Sequence, residues 1–566
     1  MKQHYTKIIL LYGIALLVGG CRLHSKAVRF LESDQQNELC DSLRQIVDSA
    51  CVVWNRTPWV DNYSTQDFLE YVLPPRIAEE PVEYYWRWDI PHYLKIPVAD
   101  RNILSVATAI NQQISVRTSP EDWHNPLMGY TKTKQGYPGK CNDRSIWATM
   151  AMRAFGIPAA YEFIPLWGSG NHGHSFCSVI LPNENVVVYQ DEKANGTDNQ
   201  FAQKVPKIYR RMYAVQTNTL VFQNRETESI PPLFSDFKIL DVTALHSIAQ
   251  QDIQIALRTS IQSKLAYLCL FHPSGWIPVA CTENKGKNAY FTSIGTGADN
   301  QGRALSFGEN IGGGILYLPA IYSNGRVIPA ANPMIVHSSG IRIIEADTVN
   351  REKITLSRKF PKLNRIISFA QQMANGVFEV ANKPDFSDRV VIHHITNTPH
   401  SRIQRVHTGL TKSYKYIRYR KHNGVFCIAE LAVYNRSYVK IEGHPIASEG
   451  YNQLPEINAI YDRNPLTYFN VNGGIDMWAG LAFDKPEYIQ ALEFCPRNDD
   501  NEVFPGDEYE LFYWNNKWTS LGKQKASGYS LTYHQVPKSA LLWLRNLTKG
   551  KEERPFTYEN GKQIWG

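Results

Sequence analysis

After about residue 236 the apolar residues come in short runs cut by tight-turn pairs, and no other feature limits the fold of this chain as much. "KLAYLCLFHPSGWIPVAC", "NAYFTSIG" and "GGGILYLPAIYSNGRVIPA" have strand lengths, with Ser-Gly and Asn-Gly between apolar runs. Such spacing predicts hairpins stacked into a sandwich, because Gly and Asn supply the positive φ of a two-residue turn. Two more β stretches follow, over 351–440 and 441–566. The chain ahead of them reads differently. "QQNELCDSLRQIVDSACVVW" and "NILSVATAINQQI" carry apolar residues at helical intervals. "STQDFLEYVLPPRI" opens on a Ser/Thr cap signal and stops at Pro74-Pro75. A chain of 566 residues exceeds the roughly 250–300 that one core serves. The reading is therefore multidomain: a helical N-terminal region (21–125), an α+β core (126–235), and all-β sandwich domains over 236–350, 351–440 and 441–566.

The first residues are not fold. "MKQHYTK" is basic, and "IILLYGIALLV" is an apolar run of about eleven residues, too short to span a bilayer. "LVGGC" follows, and the whole resembles a bacterial lipoprotein signal with cleavage after residue 20 and lipid on Cys21. The resemblance implies a body in the cell envelope, tethered to a membrane by that lipid alone. A net charge of +7 and no long Lys/Arg block give no nucleic-acid footprint. Cys21 aside, eight cysteines are too few for a disulfide scaffold; Cys40 with Cys51, and Cys269 with Cys281 across a hairpin, are the pairs in reach. No cysteine or histidine cluster has zinc spacing, so no structural metal is expected.

The chemistry concentrates in "GYPGKCNDRSIWATMAMRAFGIPAAYEF", Gly136 to Phe163. Its Cys141 is a buried small hydrophobe, half of a disulfide, or a nucleophile at a helix start. The apolar-periodic run after it, with Ile146, Met150, Ala151 and Ala154 toward a core, ends at Gly156 with Pro158 beyond. Unpaired N–H groups at a helix start favour a thiolate, and an imidazole with an orienting carboxylate completes a nucleophile. "SGNHGHSFCSVI" supplies His174 at the head of an alternating strand, with His172 in the loop as substitute. "VVVYQDEK" closes the next strand at Asp191, and a hairpin would set that acid beside His174. The expected set is Cys141 attacking, His174 carrying the proton and Asp191 orienting His174. The Cys141 backbone N–H is the first oxyanion donor expected, and a resemblance to papain-type enzymes, which use a glutamine at this spacing, implies Gln135, six residues upstream, as a second. Cys177 reads as core. Trp167 reads as groove wall or as packing.

"GKCNDRSIWATMAMRAFGIPAAY", "HSFCSVI" and "VVVYQD" together resemble the transglutaminase-like superfamily of the papain-like group. The likeness spans about 90 residues and implies an α+β papain-like core acting on an acyl carbon. Ser175-Phe176 replaces the Ala-Trp usual after the histidine. "AIYDRNPLTYF", "MWAGLAF" and "FPGDEYELFYWNNKWTSLG" resemble the discoidin or coagulation-factor 5/8 type C family, a galactose-binding-like jelly roll whose members bind sugars or other surface ligands through loops. Some members hold calcium at the turn matching Asp462 to Phe469; here Arg463 replaces the usual glycine. No other cofactor is implied. The combination resembles exported lipoproteins of gut-type Bacteroidetes. It implies a cysteine hydrolase or acyltransferase on a protein, peptide or glycopeptide, aided by glycan binding. The other reading is a surface lipoprotein that binds glycans or proteins and uses the papain-like domain as scaffold.

Overall fold

The computed structural model describes residues 40–96, 102–114, 116, 126–190, 201, 203–258, 263–299, 303, 305, 307–451, 454–550 and 552–566. The signal segment, Cys21 and Asp191 lie outside the described residues. The molecule is multidomain and mostly β-sheet with few helices. It divides into two compact units, Met1–Leu305 with Gly312–Glu345 and Gly566, and Ser306–Ile311 with Ala346–Trp565. Among the described residues no helix is long and apolar enough to cross a membrane.

Ahead of the first sheet, the described helices of the first unit are α1 (Cys40–Arg56), α2 (Thr65–Tyr71), α3 (Trp86–Tyr93), α4 (Ile103–Gln113), α5 (Tyr130–Lys134) and α6 (Cys141–Ala154). Side chains cap two of them. The Ser64 hydroxyl accepts the Asp67 N–H while the Asp67 carboxylate accepts the Ser64 N–H, and Asn102 accepts the Leu104 N–H. α6 is buried from Asp143 to Ala154. It stops where Gly156 takes φ +69°, with the Ile157 N–H reaching back to the Met152 carbonyl at 3.0 Å. A Cβ there would lie 2.5 Å from Thr57, so glycine is required twice over. Buried Arg87 donates to the Arg153 carbonyl at 3.0 Å, satisfying one of the end carbonyls of α6. Burial pushes the Arg87 guanidinium down to about 9.

A sheet follows: β1 (Ala159–Ile164), β2 (His174–Ile180), β3 (Val186–Tyr189), β4 (Tyr209–Arg211) and β5 (Ile239–Asp241), in the order β3-β2-β1-β4-β5 and antiparallel throughout. Period-two alternation gives it two distinct faces. Ala159, Tyr161, Cys177, Val179, Val187 and Tyr189 share a core with α6, whereas Ile164, Phe176 and Val188 share another with Trp167, Phe201 and Ile208. β1 is absent from the sequence reading, which found only the two later strands.

Beyond this sheet the first unit holds a six-stranded sheet built from Leu265–Ile343 and the pair Gln250–Ala256 with Asn288–Gly295, sharing one apolar core. Leu265–His272 and Gly275–Glu283 form the expected hairpin, but Cys281 stands opposite Tyr267 and Cys269 opposite Pro278. Both thiols are free, so the expected Cys269–Cys281 disulfide does not form.

The second unit holds two β bodies. Strands Val390–His394, Val377–Ala381, Tyr414–Ile428, Phe469–Glu487 and His444–Ala447 make a five-stranded sheet. It shares a core with the three-stranded sheet Gln404–His407, Ala491–Cys495 and Glu430–Tyr434. Tyr414–Ile428 pairs with Phe469–Glu487 along nearly its whole length, so a division at 440 runs through this sheet. The other body joins Asp347–Leu356 and Leu531–Lys538 to five strands between Glu508 and Trp565. "AIYDRNPLTYF" contributes Ile460 and Phe469 to the first core, and "DEYELFYW" contributes Tyr509 and Leu511 to the second. Of the three stretches that carried the discoidin resemblance, "AIYDRNPLTYF" and "MWAGLAF" thus belong to one body and "FPGDEYELFYWNNKWTSLG" to the other.

Candidate active site

Cys141 is the first residue of α6, and its thiol is free and partly exposed. The approach to the helix is fixed by Asp143. One carboxylate oxygen accepts the Lys140 N–H and the other the Met128 N–H, each at 2.8 Å. This pins the preceding loop to the first turn and puts negative charge where a helix start favours it. Gly139 leaves no room for a side chain, since a Cβ would lie 2.8 Å from that of Asp143.

The groups around the sulfur come from three elements. The Asn142 Oδ1 lies 3.5 Å from the Cys141 Sγ and accepts the Ser175 hydroxyl at 2.6 Å. The Tyr161 hydroxyl lies 2.6 Å from the Ser175 Oγ. Ser175 has one proton and gives it to Asn142, so Tyr161 donates to Ser175. A polar chain from β1 through β2 to the start of α6 therefore ends beside the thiol. Burial, against the bond to Ser175, pushes the Tyr161 phenol up to about 12, so it remains a donor.

His174 opens β2, opposite Ile164 in β1. Its ring stacks on Trp167, with centroids 5.5 Å apart and planes 22° apart, and lies 6.1 Å from the ring of Phe176. Its side chain is hydrogen-bonded to Gln190. Burial pushes the imidazole down to about 4, against the Gln190 bond and with help from His172, so the ring is neutral at neutral pH. Alternation explains the placing. Cys177 and Val179 face α6, which gives Ser175 that face and sends His174 with Phe176 to the other. The sulfur and the imidazole are not hydrogen-bonded to each other, although the residues that follow them, Asn142 and Ser175, are bonded at 2.6 Å. The expected contact between thiol and imidazole is thus not made: Ser175 takes the face toward α6, and His174 takes the other.

The other expected residues fall as follows. Asp191 lies outside the described residues. Gln135 closes α5, and its exposed side chain makes no hydrogen bond among the described residues; the side-chain amide at the sulfur is that of Asn142. Trp167 is 5% exposed and packs on Phe201 as well as His174, so it is a wall of the imidazole and not of an open groove. His172 is exposed, and its carbonyl accepts the Trp167 N–H at 3.0 Å, closing the loop between them. Cys177 is fully buried, its thiol pushed up to about 11 by burial. Asn142, Tyr161 and Gln190 were not singled out in the sequence. Only Gln190 had a signal there, since period two puts it on the Val188 face.

The turn at Asp462 is a second candidate site. Asp462 accepts the Asn464 N–H at 2.8 Å and the Thr467 hydroxyl at 2.8 Å. The Glu430 carboxyl is 5% exposed and is pushed up to about 8 by burial and then by Asp462, and its Oε1 has no hydrogen-bond partner among the described residues. Two facing carboxyls with an orphaned oxygen and a neighbouring hydroxyl form an all-oxygen set, which fits a hard cation such as calcium. Arg463 holds φ 62°, the left-handed conformation that suits the glycine it replaces, and its guanidinium bonds the Tyr434 hydroxyl at 2.6 Å. Among the described residues no three His, Cys, Asp or Glu converge as a metal group.

No protein-family model and no curated protein matches the chain. Among solved structures, EGTA-treated LapG of Legionella pneumophila is 13% identical, covering 31% of this chain and 88% of LapG with a TM-score of 0.18. Red sea bream transglutaminase is 9% identical, covering 86% of this chain and 78% of the transglutaminase with a TM-score of 0.19. Likenesses this distant carry nothing into the chemistry of the site.

Proposed function

We propose that the chain is a cell-envelope cysteine enzyme that hydrolyses or transfers an amide bond of a protein, peptide or glycopeptide. Cys141 is its nucleophile and His174 its base. The observation that carries this reading is the 2.6 Å bond between Ser175 and Asn142, which holds the residue after the histidine against the residue after a partly exposed thiol. In the reaction the His174 ring turns off Trp167 and its lone pair takes the thiol proton. The thiolate attacks the carbonyl carbon. The Cys141 N–H, at the start of α6, is the donor that would meet the oxyanion that forms. His174 returns the proton to the leaving amine, and water or a second amine then releases the acyl group from sulfur. Because the resting imidazole is neutral, it acts as a general base and not as half of a standing ion pair.

Beyond this centre, we propose a lipid on Cys21, attachment to a membrane by that lipid, and glycan binding by the C-terminal bodies. Glu430 and Asp462, with Thr467, would hold calcium, whose charge lets both carboxyls ionise. Trp478 is half-buried, 5.6 Å from Phe386 and under the Arg418 guanidinium, whereas Trp514 is 7% exposed, which leaves Trp478 the better platform for a sugar. The second reading is a binding protein on a papain-like scaffold. The observation that favours it is the imidazole engaged with Trp167 and Gln190 in place of the sulfur. A panel of peptides and glycopeptides incubated with wild type and with Cys141→Ala separates the two. Turnover by wild type alone supports the enzyme, and glycan binding without turnover by either supports the scaffold.

A further inference from the structure

We infer that the outer side of α3 and the loop ahead of Cys141 form an oligosaccharide platform, so that the substrate is a glycopeptide whose sugar lies over Tyr85, Trp88, Tyr93 and Tyr137 while its amide meets the thiol. The inference rests on the enzyme reading above and deepens it by naming the substrate class. Exposure is the first observation. Tyr85, Trp88, Tyr93 and Tyr137 are each between 46% and 53% exposed. Among the described residues ahead of Val215 they are the exposed large hydrophobic side chains, and every one is a Tyr or a Trp. α3 buries Trp86, Arg87 and Ile90, so the other side of this surface helix needs only polar residues. Rings gathered there do nothing for the fold, and such an exposed group marks a binding surface.

The second observation is what stands among the rings. The Tyr85 hydroxyl bonds the Thr131 hydroxyl of α5, and the Thr131 N–H and hydroxyl donate to Glu83 at 2.8 and 3.0 Å. Asp89 accepts the Tyr130 hydroxyl and the Lys134 ammonium, and Lys134 lies 5.7 Å from the ring centres of both Tyr93 and Tyr130. Asp89 and Lys134 are partly exposed. Aromatic faces with carboxylate, hydroxyl and ammonium groups at their edges match a sugar, which has an apolar C–H face rimmed by hydroxyls. The core of a protein–protein interface is depleted in such charges. An anionic membrane surface calls for unpaired cations, whereas Lys134 is paired with Asp89. From Tyr85 to Tyr93 the helix runs about 12 Å, which suits a chain of sugars better than one ring. The third observation is the link to the thiol. Tyr130 packs on Trp147 of α6 at 5.5 Å, and the Tyr137 N–H bonds the Lys132 carbonyl at 3.2 Å. Tyr137 is four residues ahead of Cys141, a reach of at most about 14 Å. One glycopeptide can therefore touch both.

The test is calorimetric titration of the full chain carrying Cys141→Ala with chitotetraose, a β-linked tetrasaccharide whose rings present flat C–H faces. Binding is expected, and it should persist when Trp478→Ala is added. It should weaken about tenfold with Trp88→Ala or Tyr93→Ala, as truncating an aromatic anchor does, and less with Tyr93→Phe, which keeps the ring. Should Trp88→Ala fail to fold, Tyr93→Ala and the loop variant Tyr137→Ala carry the comparison. No binding, or binding lost with Trp478→Ala and untouched by the α3 variants, overturns the inference. Phosphatidylglycerol vesicles or a sugar-free peptide held through Trp88 and Tyr93 in place of the sugar overturn it as well. In the chain with its thiol, the ratio of kcat/KM for a glycopeptide to that for the same peptide without sugar should fall about tenfold in Trp88→Ala. Failure of the enzyme reading is seen separately, as no turnover of either peptide while chitotetraose binding still depends on Trp88.

Discussion

The start of α6 and the start of β2 adjoin, yet one is polar and half-open and the other is walled by rings. Cys141 has an amide, a serine and a phenol about it and exposure to water. His174 has, among the described residues, Trp167 and Phe176 with Gln190 and His172 nearby. The thiol side can host charge as it forms. The imidazole side resists charge, by about 3 kcal/mol for the depression seen. The rest of the imidazole face shows what it takes to keep a charge there. Glu162 is fully buried on it, yet Arg210 and His246 outweigh burial and hold its carboxyl down to about 2, with Ser178 donating at 2.6 Å. A charge survives on that face when it has a charged partner, and His174 has an amide.

The largest effect expected from breaking this contrast is on turnover. His174→Ala should lower kcat/KM by about 10²–10⁴-fold, the usual worth of a general base, measured on whichever peptide or glycopeptide is turned over. Next is stability. Glu162→Ala leaves the Arg210 guanidinium buried and unpaired and should cost about 3–5 kcal/mol in urea unfolding, while Cys141 alkylation by the folded fraction stays at the wild-type rate. The pH dependence sharpens the comparison further. The folded His174 value lies below its ordinary one, so the unfolded chain binds more protons between pH 6.5 and about 4. Stability from this group is full above that window and falls with pH across it, by up to about 3 kcal/mol, and His174→Phe should flatten that part of the profile. Glu162 adds a lower window, its stability present above pH 4.5 and lost as pH falls through about 2. Smaller still is the effect of calcium. At tenfold over its dissociation constant it should add about 1.4 kcal/mol to wild type in thermal unfolding and nothing to Asp462→Asn.

Much of the thiol side was legible in the sequence, because its signals are local. The apolar period after Cys141, Asp143 in the first turn and the Gly156-Ile157-Pro158 stop all lie within one helix. The imidazole side was legible only as a strand. Alternation says that His174 and Cys177 face opposite ways, but not which parity meets the helix, since Phe176 and Cys177 are equally suited to a core. β1 went unread because Glu162 breaks its apolar pattern, and the Arg210 that pairs with that acid is 48 residues away. The division at 440 has the same origin: Tyr414–Ile428 finds its partner strand across it at Phe469–Glu487, and pairing at that distance leaves no mark in either run.

The central claim is that a neutral His174 serves the Cys141 thiol as base. The rate of Cys141 alkylation by iodoacetamide, followed against pH in wild type and in His174→Ala, tests it most directly. The account predicts a wild-type rate at least about tenfold higher at pH 7, with the two curves meeting below about pH 4, where the ring is protonated. Equal rates at every pH would contradict it.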